Sequence, residues 1–130
     1  MAWRACNKLN NIWSSKLPWN IKRQLFQATV ESVLLYGSET WTITNRTGKS
    51  LDGCYTRMLR KALDVSWKAH MSNKELYGDL PKITTSIRKR RLQFAGHCKR
   101  GVGKPVSDLL TWNPLHGKRP PGRPAKTFIN

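Results

Sequence analysis

The feature that most constrains this chain is how its positive charge is placed along it. Residues 1–81 carry 12 Lys and Arg with 6 Asp and Glu, whereas residues 82–130 carry another 12 with only Asp108. Like charges repel in a compact state, so a segment that basic cannot collapse into a dense core without an external counter-charge. The uneven distribution therefore predicts a folding unit in the first part and a binding surface in the second. Over the whole chain 24 basic side chains face 7 acidic ones, a net +17. A polyanion is the simplest partner for such an excess. Each phosphate neutralised by Lys or Arg releases condensed counterions, the term behind most non-specific affinity for DNA or RNA.

The competing polyanion is a membrane surface, and the sequence argues against it. The longest apolar run, Val33-Leu34-Leu35-Tyr36, is far short of the ~20 residues of a spanning helix. Met1-Ala2-Trp3-Arg4-Ala5-Cys6 lacks the apolar stretch of a signal peptide. Three cysteines at wide spacing fit a reducing compartment rather than a disulfide framework, and the sequon Asn45-Arg46-Thr47 then reads as accidental. The expected setting is intracellular, nucleus or cytoplasm, with no membrane partner. At 130 residues and 38% hydrophobic, the chain supports one small domain with a modest core.

Hydrophobic spacing predicts helices. Residues 2–14 read as a short helix ended before Pro18. A second starts near Trp19-Asn20, with Ile21, Leu25, Thr29, Val33 and Tyr36 on one side, and stops at Gly37. Apolar residues surround it from Val30 to Tyr36, which predicts burial of that end. Trp41-Thr42-Ile43-Thr44 holds β-formers in too short a run, and residues 45–50 read as a turn. The third helix is the clearest: Leu51, Tyr55, Met58, Leu59 and Ala62 share one face, opposite Arg57, Arg60 and Asp64. Ser72-Asn73-Lys74-Glu75 has capping-box spacing and starts a short helix ending at Gly78. A fourth long helix runs from about Thr84 to Arg100 with the stripe Ile83, Ile87, Phe94, Cys98. Leu92 falls opposite, so that helix either packs on two partners or has another register. The fold class expected is mainly α: a domain of about four helices over residues 1–100, then an extended basic Pro/Gly-rich tail over 101–130.

Two basic constellations are candidates for binding. The basic cluster Arg88-Lys89-Arg90-Arg91 lies on the fourth helix with Lys99 and Arg100 two to three turns further on, and Arg88, Lys89, Arg91, Lys99 and Arg100 are the expected contacts. At ~100° per residue, Arg88 falls within about 20° of Lys99, and Lys89 within about 20° of Arg100. That makes a cationic strip parallel to the axis, suited to a phosphate backbone; the alternative is a solvated face, which normally has interspersed acids. The second is Lys118-Arg119-Pro120-Pro121-Gly122-Arg123-Pro124-Ala125-Lys126, with Lys118, Arg119 and Arg123 as the contacts. It resembles an AT-hook in its Gly122-Arg123-Pro124 core, but Pro121 stands where a hook has Arg, so one groove-inserting guanidinium is lost. A generic basic linker is the other reading.

Chemistry beyond binding finds little support. Cys54, His70, His97 and Cys98 lack the two-to-four-residue spacing of zinc ligands, so no metal and no cofactor are expected, and Cys54 and Cys98 read as small buried hydrophobes. Of the six tryptophans, Trp112 beside the basic tail is the one placed to stack on a base; Trp3, Trp13, Trp19, Trp41 and Trp67 read as core or core-edge. Paired carboxylates, a Gly-rich phosphate loop and a nucleophile–base set are all missing from the pattern.

Several strings together carry a resemblance. Ala2-Trp3-Arg4-Ala5 precedes Leu9 and Ile12-Trp13. Further on come Leu34-Leu35-Tyr36-Gly37-Ser38-Glu39-Thr40-Trp41, Thr56-Arg57-Met58-Leu59-Arg60, and Arg90-Arg91-Leu92 before Ala95-Gly96-His97. Trp112-Asn113-Pro114, His116-Gly117 and Gly122-Arg123-Pro124 close the series. In order and wording they resemble the C-terminal region of endonuclease–reverse transcriptases of non-LTR (LINE-type) retrotransposons, over nearly the whole chain from Ala2 to about Thr127.

That resemblance implies a helical thumb and the basic region after it. The palm, with its metal-binding aspartates, and the endonuclease domain of such enzymes would lie upstream. It implies a non-catalytic fragment that grips an RNA template, RNA–DNA hybrid or DNA, with the missing palm subdomain as a second partner. Two rival expectations stand beside it: an architectural DNA-binding protein working through the AT-hook-like tail, and a degenerate relic without independent function.

Overall fold

The computed structural model describes residues 1–101, 103, 105 and 106. The tail beyond these, with Trp112, Lys118, Arg119 and Arg123, lies outside the described residues. The described part is helical, without a strand among its residues. Its elements are α1 (Ala2–Lys8), α2 (Asn10–Trp13), α3 (Trp19–Phe26), a π-helical turn (Gln27–Glu31), α4 (Ser32–Leu34), a 3-10 turn (Ser38–Thr40), α5 (Asn45–Ala62), a 3-10 turn (Trp67–Ala69), α6 (Asn73–Tyr77) and α7 (Ile83–Arg100). The mainly-α expectation holds.

The centre of the fold is α5, because its apolar stripe is the most regular in the chain. Tyr55, Met58, Leu59 and Ala62 are fully buried on one face, with Leu51 half-buried above them. Each fully buried side chain of the Leu or Met type contributes about 1.5–3 kcal/mol. Phe26 of α3 meets the Tyr55 ring edge-on at a centroid distance of 5.4 Å, and Tyr77 of α6 lies 5.8 Å away on the other side. Ile83 and Ile87 of α7 close the same cluster.

The helix starts earlier than expected. Residues 45–50 form its first turn and a half instead of a turn between elements. Thr44 and Thr47 make a reciprocal capping box, the Thr44 hydroxyl accepting from the Thr47 N–H at 3.2 Å and the Thr47 hydroxyl from the Thr44 N–H at 2.8 Å. That satisfies two of the donors a helix start leaves unpaired and outweighs the weak helical preference of Asn45, Gly48 and Ser50.

The expected helix over 2–14 is two helices joined at Leu9. The bend turns Trp13 inward, where its indole N–H donates to the Cys6 carbonyl at 2.8 Å. The expected stripe of the next helix is also corrected. Ile21 and Val33 are exposed and Tyr36 is 85% exposed, while Lys22, Phe26, Val30, Glu31 and Leu35 face inward. Two causes combine. Lys22 is buried because its ammonium donates to the Trp13 carbonyl at the end of α2, and its aliphatic stem packs as a hydrophobe would. The π turn is one residue wider than an α turn, so it resets the phase and brings consecutive Val30 and Glu31 inward. Gly37, at φ +67°, ends the run as expected.

α6 opens on the expected Ser72–Glu75 capping box and ends at Gly78. Its last turn is tied to α3 by Arg23, whose Nη2 donates to the Glu75 and Leu76 carbonyls at 2.9 Å each. Arg23 also lies over the Trp19 ring at 5.9 Å.

Candidate nucleic-acid interface

α7 carries the predicted cationic residues, and its neighbours decide how it is held. Lys82 at its N-cap supplies no side-chain cap. The cap comes from α5 instead: Asp52 Oδ1 accepts the Thr84 N–H at 3.1 Å and Oδ2 accepts the Thr84 hydroxyl at 3.0 Å. Ile83 and Ile87 anchor the first two turns in the core, and the Ser38–Thr40 turn packs along the next stretch. There Arg90 lies 3.6 Å from Glu39 and donates to the Leu35 carbonyl at 3.4 Å. Cys98 is buried near the C-terminal end, and Phe94 is 38% exposed. Leu92 is 74% exposed, so among the described residues the helix packs on one side only and neither a second partner nor a shifted register is needed to explain it.

The structure brings four of the five predicted helix residues to the solvent side of α7. Arg88, Lys89, Lys99 and Arg100 are exposed, and none of the four makes a hydrogen bond or ion pair with a described residue. Arg91 is half-buried beside them and engaged with its surroundings. By contrast the other cations close to the core are already used. Lys22, Arg23, Arg60 and Lys61 all donate to carbonyls or side-chain amides within the fold, as Arg90 does. Other surface cations, such as Arg46, Arg57 and Lys74, are likewise exposed without a partner among the described residues; α7 differs in carrying four of them on one helix. No acidic residue occurs within α7, so nothing on that helix competes for them.

One cation that the sequence did not single out joins this group. Lys49, exposed in the second turn of α5, lines a cleft of about 310 Å³ together with Ile43, Thr44, Asp52, Thr84, Arg88 and Arg91. The Thr44-x-x-Thr47 spacing was the available signal. Read as a capping box, it starts α5 at Asn45 and puts Lys49 on a helix instead of in a turn.

Burial pushes the Cys6 thiol up, partly offset by Lys61 and by the Trp13 indole, which disfavours the thiolate. Burial likewise raises the Glu31 carboxyl, against the pull of the Tyr55 hydroxyl, which donates to it at 2.8 Å, and of Arg90. Among the described residues no three His, Cys, Asp or Glu come close enough to hold a metal ion. No helix among them is long and apolar enough to cross a membrane.

These features define a small, basic, helical protein with a cationic helix face. Over 130 aligned residues it is 26% identical to a Caenorhabditis elegans protein described as transposon-derived, covering 94% of this chain and 46% of that one. The chain thus spans about half the length of the relative it matches. No family model matches the sequence. No solved structure matches the fold.

Proposed function

We propose that the chain is a nucleic-acid-gripping piece, without chemistry of its own, from the thumb and post-thumb region of a non-LTR retrotransposon endonuclease–reverse transcriptase. The observation that carries the reading is the set of unpaired cations Arg88, Lys89, Lys99 and Arg100 on one helix that has no acid. Lone surface cations are ordinary, but four unneutralised ones on a packed helix raise the local potential and attract a polyanion. The similarity to a transposon-derived protein fits the same origin. RNA template, RNA–DNA hybrid and DNA all present the phosphates this face would hold. Lys118, Arg119 and Arg123 extend the grip, and the palm of the parent polymerase is the protein partner.

The test is binding of a labelled RNA–DNA hybrid by the full chain at several salt concentrations, with R88Q/K89Q/R91Q/K99Q/R100Q as the comparison. Affinity should fall steeply with salt, and the variant should lose about three to four from the slope of log K against log salt, about 0.7–0.9 per lost phosphate contact. Unchanged binding by a variant with wild-type helicity overturns the reading. Removal of residues 117–126 gives the complementary measurement, because full loss of binding on that deletion alone assigns the affinity to the tail.

A further inference from the structure

The strip on α7 is open, but its N-terminal end runs into a cleft. Three chain segments bound that cleft: the extended residues Ile43 and Thr44, the first two turns of α5 with Asn45, Gly48, Lys49 and Asp52, and the first half of α7 with Thr84, Arg88 and Arg91. Gly48 is buried at the back, where a Cβ would touch the Ile43 and Thr84 methyl groups at 3.4 Å. Lys49 on one wall and Arg88 on the other have no partner among the described residues. Arg91 lines Arg88's wall, half-buried and already engaged with its surroundings, so Arg88 and Lys49 are the cations open to a ligand. Asp52 is the one acid lining the cleft, and both its oxygens are taken up by Thr84. The 18-residue helix α5 starts here, so its positive end adds to the field.

Cations converging from two walls of a pocket suit a different ligand from cations in a row. A row follows a continuous backbone, in which each phosphodiester carries one charge. A pocket bounded on three sides admits the end of a strand more readily than its middle, and a terminal phosphate monoester brings about −1.5 to −2 charges and three acceptor oxygens. Arginine forks are suited to such oxygens in bidentate geometry, with lysine as a point charge opposite. We propose that this cleft seats the terminal phosphate of a nucleic-acid strand whose backbone then follows α7. The inference rests on the nucleic-acid reading above and adds to it a preference for phosphorylated ends.

The test uses the full chain and three otherwise identical oligonucleotides, ending in a 5′-phosphate, a 3′-phosphate or hydroxyls only. One phosphorylated strand should bind about tenfold tighter than the hydroxyl-ended one, as expected for one added set of charge-assisted hydrogen bonds; which one does so identifies the end. Lys49→Gln should remove that preference. K99Q/R100Q should weaken binding to all three strands by the same factor and keep the preference. Equal binding of the three strands overturns the terminal-phosphate seat and leaves the α7 interface standing. Binding of none of them overturns both. A preference that survives Lys49→Gln with wild-type helicity also overturns the seat.

Discussion

Asp52 caps a helix it does not belong to. Its carboxylate, on α5, accepts both the backbone N–H and the hydroxyl of Thr84 at the start of α7. A through-space cap of this kind does what a local Ser or Asp would do, and it also fixes where α7 begins relative to α5. The carboxylate thus adds to the Ile83 and Ile87 anchors in orienting the cationic face.

Replacing that carboxylate should loosen the junction. Asp52→Ala is expected to lower stability by about 1 kcal/mol, the usual worth of an N-cap, and Asp52→Asn by less, since its amide oxygen can still accept the Thr84 N–H. Urea unfolding gives the size, and hydrogen exchange gives the place: protection should fall first at the N-terminal turn of α7. A D52A protein with unchanged exchange there would show that Ile83 and Ile87 alone hold the helix.

Arg90 sits in the middle of the basic run yet should behave differently from its neighbours. It is committed to Glu39 and the Leu35 carbonyl. Arg90→Gln should therefore leave the salt dependence of nucleic-acid binding almost unchanged. Lys99→Gln should lower the slope by about 0.7–0.9, the share of one phosphate. Equal effects from both substitutions would mean that the pairing seen in the fold does not decide which cations bind.

Glu31 gives stability a pH dependence of predictable sign. Burial raises its carboxyl above the ordinary 4.5, with Tyr55 and Arg90 only partly offsetting this. A carboxyl whose folded pKa is raised favours folding while protonated. Its contribution is thus full below about pH 4.5 and is lost as pH rises through the folded value. Glu31→Gln keeps an acceptor for the Tyr55 hydroxyl and removes the buried charge. The variant should be more stable than the wild type at pH 7, with the gap closing as the pH is lowered below that of the free carboxyl. A gap that stays constant across that range would contradict the assignment.

Gly78 and Arg23 are coupled by space. The glycine has φ +54° and ψ −118°, where a side chain is strained, and a Cβ there would lie 3.0 Å from the Arg23 guanidinium. Gly78→Ala should cost about 1–3 kcal/mol from backbone strain alone, read as a fall in the urea midpoint with little change in slope. It should also disturb the two Arg23 bonds to the end of α6. A cost under about 0.5 kcal/mol, the level of an ordinary surface change, would be inconsistent with this geometry.

Much of the helical pattern was legible because the side-chain spacing alone carries it. The stripe Tyr55, Met58, Leu59, Ala62, the capping box at Ser72 and Glu75, and the stop at Gly37 need only local rules, and each appears as read. The stripe of α3 failed for a physical reason. An amphipathic pattern assumes that lysine faces out and that turns are uniform. Here Lys22 finds a carbonyl acceptor on another helix and a π turn shifts the phase after Phe26. The start of α5 was missed because Asn45, Gly48 and Ser50 look like turn residues until Thr44 and Thr47 are seen to cap each other.

The sequence by itself determined that the chain is helical and basic, and that its charge is concentrated after residue 81. Charge, spacing and caps are local properties of the residues. Only the tertiary structure decided which cations are spent within the fold and which remain unpaired. It alone placed Lys49 opposite Arg88, because pairing between helices depends on contacts such as Asp52 to Thr84 that join residues 32 apart in the chain. No periodicity records a contact of that kind.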